Sequence, residues 1–163
     1  MFMEKANPAL RRVEKRNFRM DETQCLRMIR ASLAPSTGCT EPAAIALNAA
    51  TARKAAQGTV TQVTARLDAY LFKNAMGVGI PGADERGVAL CAAMGVTAGD
   101  ATAKMRVLDH VSPEALGAAK KMVAEGRVTV KTRSDVHGLL VESVLETDSD
   151  TVRVLTLQSH TNI

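Results

Sequence analysis

The chain has 163 residues, of which 46% are apolar, enough to bury one core. Tryptophan is absent and Tyr70 is the only tyrosine, which argues against an aromatic platform for single-stranded nucleic acid, and no apolar run approaches the roughly 18 residues of a membrane span. The net charge of +4 resides in residues 1–20, where Lys5, Arg11, Arg12, Lys15, Arg16 and Arg19 outnumber Glu4 and Glu14; the remainder carries 15 basic and 15 acidic side chains and is neutral. No groove-reading motif accompanies that basic segment, so it reads as a solvated extension or a helix against a partner subunit, with residues 21–163 forming a single domain.

The elements follow in chain order. Asp21 with Gln24 forms a capping box, and Cys25, Leu26, Ile29 and Leu33 make the apolar stripe of a helix that Pro35 ends. Pro42 stands near the start of an alanine-rich helix expected to run to Gly58 as its C-cap. Val63, Ala65 and Leu67 alternate with polar residues as in a strand. A shorter helix covers about Val88 to Ala98 and stops at Gly99. Ser112 and Pro113 open another, closed by Gly126. Val128–Thr132, Leu139–Leu145 and Val152–Gln158 are β-branched strands, the last two joined by a tight turn at Asp148-Ser149-Asp150. Helices first and strands last predict an α+β fold, with the helices packed against an antiparallel sheet formed largely by the C-terminal strands.

Cys25, Cys39 and Cys91 show no paired spacing, and an odd number without a signal peptide fits a reduced, cytoplasmic protein. Cys25 lies on a helix stripe and Cys91 in an alanine-rich helix, so both read as core. Cys39 differs. In Pro35-Ser36-Thr37-Gly38-Cys39-Thr40-Glu41-Pro42 it stands at the mouth of a helix, where unpaired N–H groups and the helix dipole favour a thiolate, while Glu41 opposes it as an adjacent negative charge. Such a sulfur can serve as metal ligand, base or nucleophile, or be a small buried hydrophobe.

Lys73-Asn74-Ala75-Met76-Gly77-Val78-Gly79-Ile80-Pro81-Gly82 contains G-x-G-x-x-G, but lacks the strand before it and the helix within it that dinucleotide binding requires, and Pro81 removes a donor. It reads either as a tight structural loop or as a glycine-lined backbone that a small carboxylate can approach, with Lys73 and Asn74 close by. His160-Thr161-Asn162 places an imidazole, a hydroxyl and an amide together at a strand end. His110 and His137 read as surface. The chain runs straight out of a strand to Ile163, from which it is expected to be part of a longer protein.

Taken together, Gly38-Cys39-Thr40-Glu41-Pro42, Lys73-Asn74 with Gly77-Val78-Gly79-Ile80-Pro81-Gly82, and His160-Thr161-Asn162-Ile163 resemble the cysteine desulfidase family, related to the α-subunit of iron–sulfur L-serine dehydratases. The resemblance runs in order from about Asp21 to the last residue. It implies a lyase that eliminates sulfide from L-cysteine, or water from L-serine, to give pyruvate and ammonia, using a four-iron four-sulfur (4Fe–4S) cluster with one iron open as a Lewis acid. By the same resemblance Cys39 is a cluster ligand or catalytic thiol, Lys73 and His160 are catalytic candidates, and Thr40, Glu41, Asn74, Gly77, Gly79, Gly82, Thr161 and Asn162 line the substrate pocket. The family's other cluster cysteines lie in a C-terminal part that these residues lack. The expectation is therefore a portion of a lyase, without cluster or activity by itself, partnered by the missing domain and open to homo-oligomerisation. Two other readings stand beside it: a freestanding amino-acid-binding module without catalysis, and a metal-free thiol enzyme in which His160 serves Cys39 as base.

Overall fold

The computed structural model describes residues 20–33 and 35–163. The basic segment, residues 1–19, lies outside the described residues. The described residues fall into two compact units, 20–33 and 35–163. In the first, α1 (Glu22–Ser32) starts with the expected capping box: Gln24 N–H donates to Asp21 Oδ1 at 2.7 Å and Asp21 N–H to Gln24 Oε1 at 3.3 Å. The stripe residues Leu26, Ile29 and Leu33 are exposed.

The second unit contains α2 (Thr40–Ala55), β1 (Val60–Asp68), α3 (Ala69–Gly77), α4 (Val88–Ala98), a 3-10 helix (Ala101–Arg106), α5 (Pro113–Ala124), β2 (Val128–Arg133), β3 (Leu140–Thr147) and β4 (Thr151–Leu157). The architecture is α+β. The strands form one sheet in the order β2-β1-β3-β4; β3 runs antiparallel to β1 and β4, whereas β2 runs parallel to β1. The parallel pair follows from the connection. Three α-helices separate β1 from β2, long enough to carry the chain back to the same end of the sheet, whereas hairpin connections reverse direction.

One sheet face is apolar. Val63, Ala65 and Leu67 of β1 and Val141 and Leu145 of β3 are buried there, under α2 and α4. Every residue from Pro42 to Ala50 is buried, because α2 lies between the sheet on one side and α4 on the other. Asn48 fixes it in place, donating to the Val141 carbonyl at 3.2 Å and Thr156 Oγ1 at 2.9 Å. The α2–α4 contact is close enough to need small residues: a Cβ at Gly95 would lie 2.4 Å from the Ala46 carbonyl oxygen, and one at Gly99 2.7 Å from Ala50 Cβ. The abundance of alanine is thus a packing requirement.

The opposite sheet face mixes polar with apolar residues and holds a buried carboxylate. Glu142 is 1% exposed, bonded by Arg66 at 3.0 Å and by Arg153. Burial pushes its carboxyl up, but the hydrogen bonds from Arg153 and Arg66 outweigh burial and hold it below the usual glutamate range. A depressed folded value stabilises the fold above the unfolded pKa and ceases to do so as pH falls through the folded one. Glu142→Gln is expected to cost about 2 kcal/mol at pH 6, less than the 3–5 of a fully enclosed pair because both arginines reach water. Urea melts from pH 6 to pH 3 should show the variant losing less stability than wild type; parallel curves would count against this ion pair as a source of acid sensitivity.

Two local features differ from the sequence expectation. Helix α2 ends at Ala55, and Gly58 serves the next turn instead, with φ +76 and its Cβ position 2.0 Å from Asp148 Oδ1. Asp148 and Asp150, from the β3–β4 turn, accept from Thr59 N–H at 2.9 Å and Gln57 N–H at 3.1 Å. Secondly, Lys73 and Asn74 lie on a helix, not in a loop. Asp68 caps α3 and buried Leu71 and Ala75, four residues apart, hold it to the core. No helix among the described residues is long and apolar enough to cross a membrane.

Candidate functional site

The strand β1 ends on Asp68, which is 2% exposed. Its Oδ1 accepts from Tyr70 N–H and Leu71 N–H, both at 3.0 Å, and its Oδ2 from Leu140 N–H at 2.9 Å. One carboxylate therefore ties the start of α3 to the start of β3. Between these elements opens a cleft of about 240 Å³, with Asp68 at its base and Tyr70, Leu71 and Asn74 of α3 along one wall. Gly138 and Leu139 before β3, Glu41 in the first turn of α2 and His160 after β4 complete the lining. Tyr70 is 79% exposed, at the mouth.

Cys39 caps α2 next to this cleft. Its loop is held from two sides. Gly38, with φ +83, packs against Pro81, where a Cβ would meet Cγ at 3.3 Å. Ser36 Oγ donates to the Met105 carbonyl at 3.4 Å, and Thr37 Oγ1 donates to Asp109, which also binds Arg106. The Cys39 Sγ donates to Glu41 Oε2 at 2.9 Å, joined there by Thr40 Oγ1 at 3.1 Å, while Asn74 Nδ2 reaches Glu41 Oε1 at 3.2 Å.

This geometry decides the charge state. Partial burial, followed by the hydrogen bond to Glu41, pushes the Cys39 thiol up from its ordinary value. The same hydrogen bond holds Glu41 below the usual carboxylate range, outweighing burial, with Thr40 and Asn74 adding to it. At neutral pH the pair is thiol and carboxylate, and the opposition of Glu41 prevails over the helix terminus. Cys91 is buried in α4 and pushed up to about 12 by desolvation. In Glu41→Gln the adjacent charge is gone, so alkylation of Cys39 by iodoacetamide at pH 8 should become several-fold faster, read by site-resolved mass spectrometry; an unchanged rate would remove Glu41 as the restraint.

Of the candidates read from sequence, Glu41, Asn74 and His160 meet at the cleft, and Cys39 and Thr40 join it through Glu41. Lys73 is exposed and stands outside the lining. Gly77, Gly79 and Gly82 also stand outside it. Gly79 pairs with Arg86 in an antiparallel bridge, and at Gly82, with φ +79, a Cβ would meet Val111 Cγ2 at 3.1 Å; the segment touches the Cys39 loop through Pro81, against Gly38. Thr161 is exposed. Asn162 closes the terminal turn that presents His160: its side chain donates to the Leu157 carbonyl, and its own carbonyl accepts from Leu157 N–H, both at 3.0 Å. Sequence reading passed over Asp68, Tyr70 and the Gly138-Leu139 wall. An aspartate closing an alternating strand, three residues before the buried Leu71, was the available signal for the first.

The fold and cleft define an α+β domain with a paired thiol and carboxylate at a helix start. No family model matches the chain. It is 38% identical to a UPF0597 protein of Photobacterium profundum over 137 residues, 83% of this chain and 32% of that relative. UPF0597 proteins of Dichelobacter nodosus and Porphyromonas gingivalis are 36% and 35% identical over 142 and 143 residues, each alignment covering 87% of this chain and 33% of the relative. The chain spans about a third of the length of the curated relatives it matches, and their names state no activity.

Proposed function

We propose that this chain is the N-terminal portion of an iron–sulfur-dependent lyase that eliminates sulfide from L-cysteine, or water from L-serine, leaving pyruvate and ammonia. The observation that carries the reading is convergence. Glu41, Asn74 and His160, drawn from three separated segments that resemble the cysteine desulfidase family, line one cleft with room for a small amino acid, and Cys39 and Thr40 join it through Glu41.

The donor set by itself does not fit a 4Fe–4S cluster. Cys39 offers one sulfur, protonated toward Glu41; Cys91 is buried in the core; and among the described residues no three His, Cys, Asp or Glu side chains converge as metal ligands. The remaining thiolates belong, on this reading, to the length of protein that the curated relatives have and these residues lack. The chemistry left to this chain is proton handling and orientation. Elimination breaks the Cα–H bond and the bond from Cβ to sulfur or oxygen; a base takes the proton, and the electron pair leaves with the departing group. Water then converts the aminoacrylate to pyruvate and ammonia. On this reading His160, which lines the cleft, is the candidate for that base, and Glu41 accepts the hydrogen bond that keeps the Cys39 proton in place.

The decisive experiment uses the longer Photobacterium profundum relative, reconstituted anaerobically with iron and sulfide and assayed for pyruvate from L-cysteine and L-serine. Pyruvate is expected from the longer protein and none from this chain. A loaded long protein that forms no pyruvate from either amino acid would sink the lyase; pyruvate and stoichiometric acid-labile sulfide from this chain alone would sink its status as a part.

A further inference from the structure

The charges around the cleft are one-sided. Both oxygens of Asp68 are occupied by three backbone N–H groups, so that carboxylate is fully used inside the fold. Glu41 is not. Its partners Cys39, Thr40 and Asn74 are neutral donors, and no Lys or Arg among the described residues pairs with it. Glu85, Glu125, Glu142, Asp109 and Asp135 each face a lysine or arginine. Glu41 is also partly buried, which weakens the solvent's share in balancing its charge. A small cleft with an ionised, uncompensated carboxylate in its wall, and no lysine or arginine among its lining residues, selects for a cation on the ligand.

We propose that Glu41 is the subsite for the primary ammonium group of a small amino acid or amine, with Asn74 fixing the orientation of its carboxylate. The inference rests on the reading that the cleft receives an amino acid, and it adds a polarity to it. The ammonium end is recognised by this chain; for the substrate's carboxylate end the lining offers no lysine or arginine, so on this reading a cationic partner comes from elsewhere in the longer protein. The titratable groups that surround Glu41 are Cys39 on its own helix start, Asp68 and Tyr70 at the start of α3, and His160 on the terminal turn.

Three probes that share one hydroxyethyl unit separate the two ends of the ligand: L-serine, ethanolamine (ammonium only) and 3-hydroxypropionate (carboxylate only). Binding to the 163-residue chain is measured by calorimetry or by perturbation of the Gly138, Leu139 and His160 resonances. Ethanolamine is expected to bind within about tenfold of L-serine and 3-hydroxypropionate at least tenfold more weakly than ethanolamine, a difference of about 1.4 kcal/mol. Glu41→Gln, which is nearly isosteric, should erase that preference. Equal or tighter binding of 3-hydroxypropionate, a preference that survives Glu41→Gln, or no binding by any probe would each overturn the assignment. The two proposals fail separately: the lyase falls if the loaded longer protein makes no pyruvate while ethanolamine still depends on Glu41, and the ammonium subsite falls if pyruvate forms but that dependence is absent.

Discussion

Asp68→Ala is expected to destabilise the domain by about 3–5 kcal/mol. The substitution strands three backbone N–H groups, those of Tyr70, Leu71 and Leu140, two of them in buried surroundings. A buried donor without a partner costs about 1–3 kcal/mol, and the Tyr70 N–H recovers some of its loss from water at the open cleft, so the total falls short of the simple sum. Asp68→Asn should recover only part of the loss. Its carbonyl oxygen can still cap α3, but its amide would turn N–H toward the Leu140 N–H, donor against donor. Urea denaturation gives the stabilities, and proton resonances of Gly138 and Leu139 report whether the cleft wall has moved. Asp68→Ala within 1 kcal/mol of wild type would show that the carboxylate does not hold α3 and β3 together.

The second large effect lies between α2 and α4. Gly95→Ala is expected to cost about 2–3 kcal/mol and Gly95→Val more, although alanine in the interior of a helix is ordinarily better than glycine by about 1 kcal/mol. The reversal of sign comes from what the new Cβ meets: the Ala46 carbonyl oxygen at 2.4 Å and Ala46 Cα at 2.9 Å, both backbone atoms that cannot rotate away. The helices would have to separate, and α2, enclosed between sheet and α4, has nowhere to go. Gly117 in α5 is the control, because a Cβ there meets nothing within 4 Å. Gly117→Ala should gain about 0.5–1 kcal/mol by the same melts. If both alanine variants gained stability, the close helix contact would be refuted.

Much of the α+β architecture was legible in the chain because local chemistry and tertiary packing agree there. Ser112 accepts from Ala115 N–H at 3.2 Å and Pro113 begins α5, as their order suggests, and Gly126 takes φ +71 just beyond its end. The Asp21–Gln24 box and the extent of α4 follow similarly local signals. Helix α3 was not legible, since its polar residues Lys73 and Asn74 next to a run of glycines outweigh a single cap and two apolar positions. Gly58 was misplaced for a related reason: a helix end and a turn two residues later ask for the same backbone freedom, and only the approach of Asp148 settles which one uses it.

The local sequence was thus sufficient for which segments coil and which extend outside α3, and for singling out a cysteine at a helix start beside a glutamate. Only the tertiary structure decided that this sulfur is a protonated donor to Glu41, that Asn74 and His160 stand at the same cleft, and that the glycines 77–82 lie outside its lining. It also decided that β1 and β2 run parallel. The reason is physical: helix caps and hydrophobic periods act over a few residues, whereas charge state, cleft lining and strand partnership depend on groups up to about 120 residues apart, whose meeting is determined by how the shared core closes.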